Sequence, residues 1–183
     1  MHPRTEELLR HLDANRVVLR AAVDDVPPSL RDTRPASDVW SVAEVLEHLT
    51  RVEEQLTRLL RSKLSEASAA GALAPEADTG PVVDPNSHRV VLDRRRRITA
   101  GDRVLPRGQL DAVTALAALE RARAELRELL ITYDGVTIGA VSHPHPLFGP
   151  IDGYGWFAFI GSHEARHAAQ IRDAGATLSE RPV

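Results

Sequence analysis

Apolar residues recur at three- and four-residue steps in four stretches of the chain, with polar residues filling the positions between them. From Thr5 to Val26 the apolar set is Leu8, Leu9, Leu12, Leu19, Val23 and Val26, which predicts an amphipathic helix ended by Pro27 and Pro28. A second helix is predicted from Val42 to about Ala70 on Val45, Leu46, Leu49, Val52, Leu56, Leu59 and Leu60, with Gly71 beyond it. Its start is the clearest in the chain. Ser41 followed by Glu44 forms a capping box, and Trp40 before it can pack on Val45 as a hydrophobic staple. The third helix spans about Gln109 to Thr132, with Val113, Leu116, Leu119, Leu126, Leu129 and Leu130 on one side. The fourth spans about Gly153 to Ala174, with Gly175 as its C-terminal cap residue and a fraying tail after it.

Residues 71–108 differ in kind, with Gly71, Pro75, Gly80, Pro81, Pro85, Gly101, Pro106 and Gly108 among mixed polar residues. They read as a crossover and not a helix, with Arg89 to Asp93 as a short extended piece and Arg94 to Arg97 as a basic run. That run could grip an acidic cosubstrate or a partner subunit, although a solvated charged segment is the commoner use. No segment alternates strongly and no internal repeat is found. The expected fold is therefore all-α: a four-helix bundle with a long crossover between helices two and three, residues 1–183 forming one domain.

Composition narrows the chemistry. Lys and Arg number 23 against 26 Asp and Glu, a net charge of −3, which offers no overall basic field for nucleic acid or an anionic membrane. No apolar run approaches the length of a membrane span, and the N-terminus turns acidic where a signal peptide needs an apolar segment, so a cytoplasmic location is expected. Cysteine is absent, which removes disulfides, thiolate ligands and a cysteine nucleophile together. Histidine, acids, hydroxyls and arginine are left to carry any reaction.

His163 and His167 stand four apart on the fourth helix, which brings both imidazoles to one face, as a metal requires. They lie among Ile160, Ala168 and Ile171, and His48 lies similarly beside Val45 and Val52 on helix two. Bundles build metal sites from side chains on facing helices, so the three can meet across the core and leave an open coordination position. Three hydrogen-bonded core histidines are the competing reading. The same segment, His163-Glu164-Ala165-Arg166-His167, is a literal HExxH, which raises a zinc peptidase. Against it, only sixteen residues follow His167, and Gln170 and Asp173 stand where the extended metzincin pattern needs Gly and His.

The stretch Trp40 to Leu49, the stretch His145-Pro146-Leu147-Phe148-Gly149-Pro150, and Phe159-Ile160 leading into His163 to Ile171 together resemble the DinB-like superfamily in order and spacing. The resemblance covers nearly the whole chain. It implies a four-helix bundle, often dimeric, with a divalent metal on His48, His163 and His167, in a family whose members include thiol-dependent S-transferases and a mycothiol-using isomerase. The function it implies is a metal-dependent S-transferase or hydrolase using a low-molecular-weight thiol. A non-catalytic, dimeric, stress-associated bundle that binds metal or a small ligand is the alternative. Imidazole ligands suit Zn, Ni or Fe, with zinc the default. Gln170 and Glu44 are candidate second-layer partners of the ligands, Glu44 having the capping box as its rival role. His145, expected in a loop between prolines, is a candidate for lining the site, while Glu164 and Arg166 are expected in surface or interhelical salt bridges.

Overall fold

The structure, a computed structural model, describes residues 1–95 and 100–180. Arg96 and Arg97 of the basic run lie outside the described residues, while Arg94 pairs with Asp173 at 2.5 Å and Arg95 with Asp93 at 2.8 Å.

Four long helices form the bundle: α1 (Pro3–Asp24), α2 (Val42–Ala69), α4 (Ala112–Thr132) and α5 (Gly153–Ser179). Between α2 and α4 the crossover carries a short helix, α3 (Pro85–Leu92), and ahead of α5 stands a hairpin of β1 (Ser142–His145) and β2 (Gly149–Asp152). α1 packs chiefly on α5, and α2 on α4. Each start is fixed locally. The Ser41–Glu44 capping box forms at α2, Asp111 accepts the Thr114 amide at 2.7 Å, and Asp152 accepts the Gly155 amide at 2.7 Å.

Three expectations are corrected. Residues 89–92 are helical, because Asp84 caps the Asn86 and Ser87 amides at 3.0 Å each and Pro85 sits in the first turn, where its missing N–H costs nothing. Gly175 does not end the last helix, which continues to Ser179. It is buried where α5 meets the end of α1, and a Cβ there would stand 2.6 Å from Val26 Cγ2. His145 lies on a strand, not in a loop, in a hairpin whose register pairs His145 with Gly149 and Pro144 with Pro150.

The apolar interior falls into two clusters. One joins Leu8, Leu12, Leu60, Leu126, Leu129 and Phe157; the other joins Leu19, Val23, Val45, Leu46, Leu119 and Ile171. Between them in sequence each long helix carries one buried charged side chain: Arg16, Glu53, Arg123 and Glu164, all nearly inaccessible to solvent. Arg123 Nε donates to Glu53 Oε1 at 2.5 Å and its Nη2 lies 3.0 Å from Glu164 Oε2, while Arg16 Nε donates to Glu164 Oε1 at 2.9 Å. Each charge is thus paired with an opposite one inside the layer, and Arg16 Nη1 reaches outward to Glu120 Oε2 at 2.9 Å. Among the described residues no helix is long and apolar enough to cross a membrane.

Candidate metal centre

His48 stands on the first turns of α2, inside residues 41–50, a run buried without interruption. The crossover covers it. Residues 102–108 are held over α2 by three neighbouring side chains: Glu47 accepts the Arg107 and Gly108 amides at 2.9 and 3.0 Å, Arg51 donates to the Arg103 carbonyl at 3.2 Å, and His48 Nδ1 donates to the Val104 carbonyl, in the turn Asp102–Val104, at 2.8 Å. A carbonyl can only accept, so the proton of His48 sits on Nδ1 and its Nε2 keeps a bare lone pair.

His163 and His167 come from one face of α5, one turn apart. Their Nε2 atoms are 3.1 Å apart, and the His48 ring centroid lies 5.4 and 4.9 Å from theirs. One ligand nitrogen of each lies within 4.8 Å of the others. With Zn–N lengths of about 2.0–2.1 Å, two tetrahedral imidazole nitrogens stand about 3.3 Å apart, so the α5 pair is already at chelating separation. His167 Nδ1 donates to Gln170 Oε1 at 2.9 Å, which leaves its Nε2 bare as well.

Electrostatics favour neutral rings. Burial lowers the pKa of His48; burial and then the His48 ring take His167 down to about 3; and burial, followed by His167 and His48, holds His163 well below the usual histidine value. A metal ligand must be unprotonated, so these rings would bind an ion at neutral pH without first losing a proton. The donor set therefore fits a divalent ion of the kind imidazole prefers. Trp40 flanks His48 at 5.0 Å, and Phe159 stacks on His163 at 5.4 Å and 22°. His48 and His167 are buried, whereas His163 keeps part of its surface open.

The other candidates separate. Gln170 meets His167. Glu44 does not face a ligand: its carboxylate closes the capping box on the Ser41 amide at 2.9 Å and receives the Arg34 guanidinium, Nε to Oε2 at 2.8 Å, so it is corrected to a structural role. His145 is one ring removed from the trio, 5.0 Å from Phe159 and stacked on Phe148 at 4.5 Å, and burial lowers its pKa. Arg166 donates to the Val91 and Asp93 carbonyls, fastening α3 to α5. Glu164, which would be the general base of a peptidase, is 1% exposed and held between Arg16 and Arg123. It has no freedom to serve a water beside His163.

Two features escaped the sequence reading. Glu47 gives no signal of its own, because its partners are backbone amides sixty residues away. The ionic layer did leave one, since Arg16 and Arg123 interrupt the leucine stripes Leu12–Leu19 and Leu119–Leu126 at helical spacing.

Comparison with known proteins adds three findings. The sequence model of the DinB superfamily matches residues 11–171. The protein YuaE of Bacillus subtilis (strain 168) is 24% identical over 141 residues, 76% of this chain and 80% of that protein. The crystal structure of TT2238, a four-helix bundle protein, matches with a TM-score of 0.55 at 23% identity, covering 92% of this chain and 98% of that one, which carries the fold.

Proposed function

The chain belongs to the DinB superfamily, and from that premise we propose that it is a metal-dependent enzyme acting through a divalent ion on His48, His163 and His167. The observation that carries the reading is the convergence of three neutral imidazoles from two helices. Zinc is the first ion to test, with nickel and iron behind it. The ion, when bound, supplies Lewis acidity that turns a thiol or a water into a nucleophile at neutral pH.

The chain's own groups prepare for this. Val104 and Gln170 hold the Nδ1 protons of His48 and His167, so that both Nε2 lone pairs face inward. Trp40 and Phe159 keep water from two sides, and the open surface of His163 is the route of entry. The family resemblance points to a thiol-dependent S-transferase; with no cysteine in the chain, its sulfur nucleophile would arrive as a low-molecular-weight cosubstrate, with hydrolysis by water as the related reaction.

The test is elemental analysis of purified protein beside His48→Ala and His167→Ala, then a panel of small thiols offered to an electrophile with and without chelator. The expected result is about one ion per chain, lost in both variants, and thiol consumption only in the loaded protein. A metal-free wild type whose metal affinity equals that of the variants overturns the site. Bound metal without turnover above the chelated control overturns the enzyme and leaves a metal-binding bundle.

A further inference from the structure

A cavity of about 1030 Å³ opens beside the start of α5, between the N-terminal end of α1, the crossover from Pro81 through α3, and the hairpin. That is the size of a small-molecule site. Its walls are mostly apolar: Val82, Val83, Val90, Phe148, Ile151 and Phe159.

The charged groups around it already have partners. Arg4 pairs with Glu76 at 2.9 Å and with Asp78, and the Tyr154 hydroxyl donates to Glu76. Asp84 caps α3 and Asp152 caps α5. An ionic guest would lose hydration there without gaining a counter-charge. At the inner end Ser162, buried, donates to the Ala158 carbonyl at 3.1 Å, and its oxygen is 2.7 Å from His88 Nδ1. His11 Nε2, which itself donates to the Ala158 carbonyl, lies 3.4 Å from the serine oxygen. With the serine proton on that carbonyl, the oxygen accepts from His88 Nδ1, and the second nitrogen of His88, a residue that lines the cavity, is left as an acceptor for a guest.

We propose that this cavity binds an uncharged, largely apolar ring compound bearing one hydroxyl or N–H group, which donates to His88. The site stands independently of the metal reading, although Phe159 belongs to both: it lines the cavity and stacks on His163.

The chain has two tryptophans, Trp40 beside His48 and Trp156 packed edge-on against Phe159 at 5.6 Å. Trp40→Phe leaves Trp156 as the sole indole reporter. Titrating that protein with 2-naphthol, 2-methoxynaphthalene and naphthalene-2-sulfonate separates the chemistry. Saturable quenching by 2-naphthol is expected, several-fold tighter than the methyl ether, a gap that His88→Phe removes, and at least about tenfold tighter than the sulfonate. Ala158→Phe fills the cavity, and Val83→Asp charges its rim should the first variant fold poorly; either is expected to weaken 2-naphthol about tenfold or more. No saturable binding, equal affinity for the sulfonate, or indifference to a folded Ala158→Phe or Val83→Asp protein overturns the proposal. Metal-free protein is expected to give the same result, so the outcome is independent of whether the three histidines hold an ion.

Discussion

His48 Nδ1 and the carbonyl of Val104 lie 2.8 Å apart across 56 residues of sequence, so the tautomer of one proposed metal ligand is set by a turn of the crossover. Glu47, the residue before it, holds the crossover three and four residues beyond Val104, through the Arg107 and Gly108 amides. Glu47→Ala is expected to lower metal affinity about tenfold or more while leaving all three imidazoles in the chain. Competition against a chromophoric chelator measures it, and an affinity equal to wild type would show that the crossover does not govern His48.

Arg123 bridges Glu53 and Glu164 in the ionic layer. Arg123→Met strands two buried carboxylates with only Arg16 between them, and is expected to cost about 3–5 kcal/mol in urea unfolding. Replacing all four charges together, Arg16→Met, Glu53→Leu, Arg123→Met and Glu164→Leu, removes the stranded charge and is expected to recover most of that loss. A quadruple variant no more stable than the single one would mean that the layer itself stabilises the fold.

Glu76 predicts an acid dependence. The Tyr154 hydroxyl, with the Asp78 amide and Arg4, brings its carboxyl down to about 2, while burial and Glu76 push Tyr154 up to about 12. The folded carboxyl holds fewer protons than the unfolded one between its unfolded pKa, about 4.3, and about 2, so its stabilisation is complete above that window and lost as pH falls through it. Glu76→Gln is expected to cost on the order of 1 kcal/mol at pH 7, after discounting for solvent screening. Denaturation at pH 7, 4 and 2.5 checks the sign: the gap to wild type should shrink on acidification.

Gly175 packs against Val26, which is buried and branched and has little room to move. Gly175→Ala gains about 1 kcal/mol of helix propensity but overpacks the contact by about 1–3 kcal/mol, so a net loss is expected. Val26→Ala in the same chain is expected to relieve the clash. A thermodynamic cycle over the four proteins should then give a coupling of at least about 0.5 kcal/mol.

The four long helices were legible because their leucines keep one period and because Ser41 and Glu44 mark a start by local hydrogen bonds. α3 was hidden because its signal is the cap at Asp84 and Pro85, while Val90-Val91-Leu92 reads equally as strand. The hairpin was hidden by Pro144 and Pro150, which face each other across it. Gly175 misled because glycine after an apolar run suits a left-handed cap; here it serves close packing, and its φ is not positive. Spacing puts His163 and His167 on one face and bundle geometry lets His48 meet them, while the resemblance names all three as ligands; the approach of His48 itself is a tertiary fact.

The ionic layer also bears on helix alignment. Leucine-rich faces tolerate sliding by a turn, about 5.4 Å, because one leucine replaces another. Such a shift in α2 or α5 would bring Glu53 or Glu164 against leucine and separate it from Arg123, so only one axial alignment keeps every charge matched. His48 is five residues from Glu53, and His163 and His167 flank Glu164. The vernier that sets the height of one imidazole against the other two is therefore a layer of charges that lies outside the histidine cluster.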